Sequence, residues 1–111
     1  MVTETEDFPS AVLVRAGEPT EGIDRMKTRF AEPNNNKLTN GPGKLCKALG
    51  LTREENGLDL VKSNLYLEDR SYQPTKIETS LRIGIKKGVE KKWRFFEAAS
   101  PYVSVRMPAN S

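Results

Sequence analysis

Apolar residues recur along this chain at two periods, one suited to helices and one to strands. Ala11-Val12-Leu13-Val14 is a short apolar, β-branched run bounded by Pro9 and Gly17, a pattern that predicts a buried strand. Ile23, Met26 and Phe30 then return at spacings of three and four. That spacing predicts a helix over 21–31, entered through the turn Glu18-Pro19-Thr20-Glu21-Gly22. Residues 31–40, with Pro33 and Asn34-Asn35-Asn36, read as loop. A second helix follows the breakers Asn40-Gly41-Pro42-Gly43, with Leu45, Cys46, Ala48 and Leu49 on one face and Gly50 at its stop. Thr52-Arg53-Glu54-Glu55 has the spacing of a capping box and predicts a short helical turn, and Asn56-Gly57 predicts a tight turn.

Downstream the patterning weakens and then shortens to a period of two. Leu60-Val61 and Leu65-Tyr66-Leu67 predict a short helix followed by a strand, and 71–75, with Pro74, reads as loop. Thr79 to Ile85 predicts a strand with Leu81, Ile83 and Ile85 on one face and Arg82 on the other. Trp93 with Phe95, and Tyr102, Val103 and Val105, predict two more. Residues 1–10 and 106–111 are expected to be flexible ends. Helices mixed with short strands place the chain in the α+β class.

Composition narrows the chemistry. A chain of 111 residues, 36% hydrophobic and 30% charged, is expected to form one globular domain at most. No apolar run approaches the roughly 20 residues needed to cross a bilayer. The start is acidic and has no apolar signal core, so a cytoplasmic location, nucleoid-associated in a bacterium, is expected by default, with no membrane partner. A single cysteine excludes an internal disulfide and a cysteine metal cluster. Its place on the proposed apolar face makes Cys46 read as a buried, inert thiol. The absence of histidine removes the commonest general base and metal ligand together. No metal and no cofactor is expected.

A formal net charge of +3 conceals an asymmetry. Residues 1–24 carry six acids against Arg15, whereas 82–106 carry seven bases against Glu90 and Glu97. A basic segment with Trp93, Phe95, Phe96 and Tyr102 interleaved fits a polyanion surface. A solvated charged face over a strand core is the plainer alternative. At Gly41-Pro42-Gly43-Lys44 the turn leaves unpaired N–H groups at a helix start, and Lys44 adds a point charge, which together can hold an anion. An ordinary helix start is again the plainer reading. Arg15 ends the apolar run and must reach solvent, a carboxylate such as Glu18, or a bound phosphate.

These motifs occur in a fixed order. Val12-Leu13-Val14-Arg15-Ala16-x-Glu18-Pro19-x-Glu21-Gly22 comes first, then Asn40-Gly41-Pro42-Gly43-Lys44-Leu45-Cys46-x-Ala48-Leu49. Arg82-Ile83-Gly84-Ile85, Trp93-Arg94-Phe95-Phe96 and Ser100-Pro101-Tyr102-Val103-Ser104 complete the series. The succession resembles the alkyladenine (3-methyladenine) DNA glycosylase family, the type found in animals and many bacteria. The resemblance covers 11–105 and implies a curved, mostly antiparallel sheet with flanking helices.

Members of that family hydrolyse the N-glycosidic bond of alkylated or deaminated purines in duplex DNA after flipping the nucleotide out of the stack. The resemblance implies a glutamate general base, a tyrosine wedge, and aromatic and histidine side chains around the flipped base. In the family all of these precede the strand that ends here in Arg15. The chain therefore resembles the C-terminal portion only, a single partial domain over 1–111, monomeric and open to complementation by the N-terminal half. Carried over by position, Arg15 matches an arginine at the active-site rim, in a supporting role to the catalytic water and the target nucleotide's backbone. Lys44, beside Gly43, matches a lysine at the loop-to-helix start near the DNA backbone. Ile83 and Gly84 match a pair whose main chain approaches phosphate, and Arg82 joins them as a DNA-binding candidate in the basic segment. Such contacts position a protein on DNA without reading its sequence. A non-catalytic nucleic-acid-binding remnant of the same fold is the alternative function, and an isolated chain of this kind is expected to be only marginally stable.

Overall fold

A left-handed glycine opens the first helix. Gly22 sits at φ 71°, ψ 23°, a conformation that costs glycine little, and it accepts the Met26 N–H at 3.0 Å. Helix α1, Ile23–Arg29, carries Asp24 in its first turn and Lys27 and Arg29 in its last, charges that complement the helix dipole. It is shorter than the 21–31 expected, because Gly22 lies outside the helical region and Phe30 leaves in extended geometry.

Helix α2, Pro42–Leu49, starts with proline in its first turn, where the missing N–H costs nothing. It ends at Gly50, left-handed at φ 70°. There the Leu51 N–H donates to the Cys46 carbonyl at 2.8 Å and the Gly50 N–H to that of Lys47 at 3.2 Å. This is the expected stop, closing two orphan carbonyls. Arg29 of α1 donates through Nη1 to the Ala48 carbonyl at 2.6 Å, tying the two helices at the negative end of α2. Between the helices Met26, Leu38 and Ala48 form a small apolar nucleus, with Ile23 and Phe30 packed against it.

Two expectations fail in this region. Val12, Leu13 and Val14 are exposed and in no strand, and among the described residues the β-pairing nearby is an isolated antiparallel bridge between Val2 and Ala11. Cys46 is exposed, because α2 buries only Ala48 fully and half-buries Leu45, a stripe too narrow to reach it.

The computed structural model describes residues 1–5, 7 and 10–104, in two compact units, Met1–Thr52 and Arg53–Ser111. In the second unit strands β1, Ile77–Ser80, and β2, Arg94–Glu97, pair antiparallel with Ile77 opposite Glu97 and Ser80 opposite Arg94. Side chains alternate, so Arg94 and Phe96 are buried together with Ser80, while Phe95 faces outward. Arg94 donates to the Ser80 hydroxyl at 3.0 Å and lies 4.6 Å from the Phe96 ring centroid. Tyr72 donates its hydroxyl to Glu97 at 2.6 Å, fastening the preceding loop to β2.

The helix and strand expected between 58 and 69 are replaced by turns. Asp59 accepts the Val61 N–H through its side chain at 2.8 Å, and its carbonyl accepts the Ser63 N–H and hydroxyl. Local bonds of this kind compete with ladder formation. β1 starts earlier than Thr79 and stops at Ser80, because Gly84 at φ 71° and Gly88 at φ 64° turn the chain immediately afterwards. Tyr102 and Val103 form no strand; the Tyr102 N–H is taken by the Ser100 hydroxyl at 3.2 Å. Val105 and the end 106–111 lie outside the described residues. The molecule is nonetheless α+β, with two α-helices and a two-stranded antiparallel sheet among the described residues.

Candidate nucleic-acid interface

In the first unit two polar bonds bring the Arg15 segment to the start of α2. The Thr39 hydroxyl donates to the Gly17 carbonyl at 2.6 Å, and the Gly17 N–H donates to the Thr39 carbonyl at 3.3 Å. Gly17 lies two residues past Arg15, and Thr39 lies five before Lys44, so the clasp joins two stretches far apart in sequence. Thr39 is almost wholly buried, which makes its double bonding necessary as well as useful. Nothing in the hydropathy pattern marked Thr39; a buried threonine inside a polar loop gives no periodic signal.

Arg15 is half-buried and makes no hydrogen bond or ion pair among the described residues; the pairing with Glu18 does not form. Among the described residues no acceptor takes its guanidinium donors. Lys44 is exposed in the first turn of α2 and donates to the Asn40 side chain at 3.2 Å, a neutral partner that leaves its charge uncompensated. Gly41 gives α2 no side-chain cap and Pro42 has no N–H. The amides of Gly43 and Lys44 thus open the helix, with Gly43 exposed and no Cβ to shield them.

The second unit places Arg82, Ile83 and Gly84 in the loop between the strands. Arg82 donates through Nη2 to the Lys87 carbonyl at 3.0 Å and to the Gly88 carbonyl at 3.2 Å. Its guanidinium carbon stands 5.4 Å from the Trp93 ring centroid, and the Lys91 ammonium stands 4.7 Å from it. A cation near an aromatic face is held by the ring quadrupole. Arg82 thus folds the loop upon itself, a role missed in sequence because its partners are backbone carbonyls. The loop presents Lys86, Lys87, Lys91 and Lys92 to solvent, with Gly84 exposed and Ile83 half-buried. Gly88 stands at φ 64°, a conformation that favours glycine, and a Cβ at this position would lie 2.6 Å from Arg82 Nη2, the movable end of that side chain.

Two basic, donor-rich surfaces on a small α+β scaffold are what a DNA-facing module needs. Residues 1–101 match the model of the methylpurine-DNA glycosylase (MPG) family, and the chain belongs to that family. A protein of Desulfitobacterium hafniense, provisionally named a 3-methyladenine DNA glycosylase, is 43% identical over 117 residues, spanning 96% of this chain and 58% of its own. One of the same name from Chlorobaculum parvum is 47% identical over 105 residues, 94% of this chain and 50% of its own. One from Clostridium novyi is 44% identical over 115 residues, 94% and 57% respectively. The chain therefore spans about half the length of the curated relatives it matches.

Proposed function

We propose that this chain is the backbone-gripping part of a base-excision DNA glycosylase. The whole enzyme would hydrolyse the N-glycosidic bond of alkylated or deaminated purines, 3-methyladenine among them, in duplex DNA. The observation that carries this reading is the match to relatives named for 3-methyladenine over nearly the full chain. In it Arg15 contacts the target nucleotide's backbone and helps hold the catalytic water. Lys44 and the Gly43 amide meet a phosphate at the start of α2. The loop folded by Arg82, with Ile83 and Gly84, meets another. These contacts would position duplex DNA, and the remainder of the family domain would supply the general base.

A second reading, a nucleic-acid-binding remnant without catalysis, draws on the acids present. A general base must lie within about 2.6–3.2 Å of the attacking water and be held there. Glu4, Asp7 and Glu18 are exposed and make no hydrogen bond or ion pair among the described residues, so nothing frames them. Both readings require DNA binding. Affinity for an undamaged duplex should fall steeply with salt, each phosphate contact adding about 0.9 to the log–log slope. The double variant Lys44→Ala, Arg82→Ala should bind more weakly at every sequence tested and with a shallower slope. Binding that is indifferent to salt, or unchanged in the double variant, defeats the proposed grip.

A further inference from the structure

One side chain holds the loop between β1 and β2. Arg82 gives Nη2 to the Lys87 carbonyl at 3.0 Å and to the Gly88 carbonyl at 3.2 Å. The Lys91 N–H donates to that same Gly88 carbonyl at 3.2 Å. Trp93 lies beside the guanidinium, its ring centroid 5.4 Å from Arg82 Cζ. The Arg82 Nε is buried and meets no acceptor among the described residues. An arginine grips a phosphate bidentately through one of two forks, end-on with Nη1 and Nη2 or side-on with Nε. Here Nη2 is already engaged and Nε is enclosed, so neither fork is open.

The backbone of the loop has the opposite balance. The Lys87 and Gly88 carbonyls are drawn to the guanidinium, whereas the N–H groups of residues 83–89 donate to no described residue. Gly84 at φ 71° and Gly88 at φ 64° turn the chain at either end of that stretch. Successive N–H groups left unpaired at such turns make anion-binding concavities. Gly84, Lys86 and Lys87 are exposed, and residues 82–92 carry five bases against Glu90. The loop thus attracts an anion although its arginine is turned away.

We infer that Arg82 is a positioning residue. It draws two carbonyls inward and leaves the amides of 84–87, flanked by the Lys86 and Lys87 ammonium groups, to take the oxygens of a phosphate. Arg82 itself does not touch that phosphate. The inference rests on the DNA-gripping reading above, and within it separates Arg82 from Lys44, which meets phosphate with its own charge.

The test uses the full 111-residue chain and an undamaged duplex, with binding measured across salt concentrations and amide signals followed by NMR. In the unaltered chain the amides of 84–87 and of Gly43 and Lys44 should all shift when duplex is added. Arg82→Ala and Arg82→Lys should both weaken binding about tenfold. The salt slope should stay unchanged, because neutral amides release no counterions. In both variants the response of 84–87 should vanish while that of Gly43 and Lys44 persists, a separation that general destabilisation would not produce. Should the hairpin of either variant melt, Gly88→Ala takes its place: it removes no charge but presses a Cβ against Arg82 Nη2, and should weaken binding at constant slope. Full affinity in Arg82→Lys or in Gly88→Ala overturns the inference. So does a slope lowered by about 0.9 in Arg82→Ala, the mark of a direct phosphate contact. Failure of the unaltered chain to bind duplex in a salt-dependent way defeats the DNA-gripping reading itself, and the inference with it.

Discussion

The two units of this molecule are held together by different physics. In Met1–Thr52 an apolar nucleus of Met26, Leu38 and Ala48 sits between two helices tied by Arg29, with α2 closed at Gly50 and the Thr39–Gly17 clasp beside them. In the second unit Phe96 is the one buried hydrophobic among the described residues, and its buried neighbours are Ser80 and a charged Arg94. The ion pairs Arg70–Glu68 at 3.0 Å and Lys76–Glu78 at 3.6 Å are local in sequence and solvent-facing on at least one side, so they contribute little. One unit is built by burial and the other by polar and cation–aromatic contacts. Hydrophobic burial is non-directional, whereas hydrogen bonds fail once geometry is lost. The second unit should therefore be the more sensitive to single polar changes, and the first to loss of volume.

The largest effect should come from Leu38→Ala. This side chain is fully buried, and truncation removes its transfer energy and leaves a cavity, together about 3 kcal/mol. Urea unfolding monitored by helical circular dichroism should show the loss in the first unit; a change below about 1 kcal/mol would mean that Leu38 is not at the centre of its nucleus. Next comes Arg94→Ala, which removes the bond to Ser80 and the guanidinium against Phe96, a loss of about 2 kcal/mol. Tryptophan fluorescence of Trp93 should report melting of the hairpin while the helices persist. If both units melt together, the division into separately held units is wrong. Gly88→Ala is smaller, about 1 kcal/mol, because it combines an unfavourable positive φ with a Cβ pressed against Arg82. It should loosen Arg82 from Trp93, so red-shifted, more quenchable Trp93 emission is the expected signature; an unaltered spectrum would place Arg82 elsewhere.

How legible all this was in the sequence follows the same division. The 3.6-residue pattern of Ile23, Met26 and Phe30 located α1, and the Asn40–Gly43 breakers with Gly50 bounded α2, because helices are locally encoded. Strands need partners, and alternation does not reveal whether a partner is present. Val12-Leu13-Val14 has the composition of a buried strand but enters no ladder among the described residues. Leu81, Ile83 and Ile85 alternate as strand residues do, yet Gly84 and Gly88 turn the chain before a ladder can extend. In the candidate interface, Lys44 and Gly43 fell where the pattern placed them. Arg82 turned inward to carbonyls and Trp93, and the Thr39–Gly17 clasp carried no sequence signal at all. Polar contacts to backbone are set by tertiary geometry, which a residue pattern does not record.

The proposed function has this chain grip DNA and the general base come from the rest of the family domain. Release of free 3-methyladenine from an alkylated duplex measures that directly, with the 111-residue chain alone and with the chain joined to the unmatched segment of a relative. No release above the uncatalysed background from the chain alone, and release restored in the joined protein, is the predicted result. Robust excision by the chain alone would contradict the account, and Glu18→Gln would then be the first variant to test.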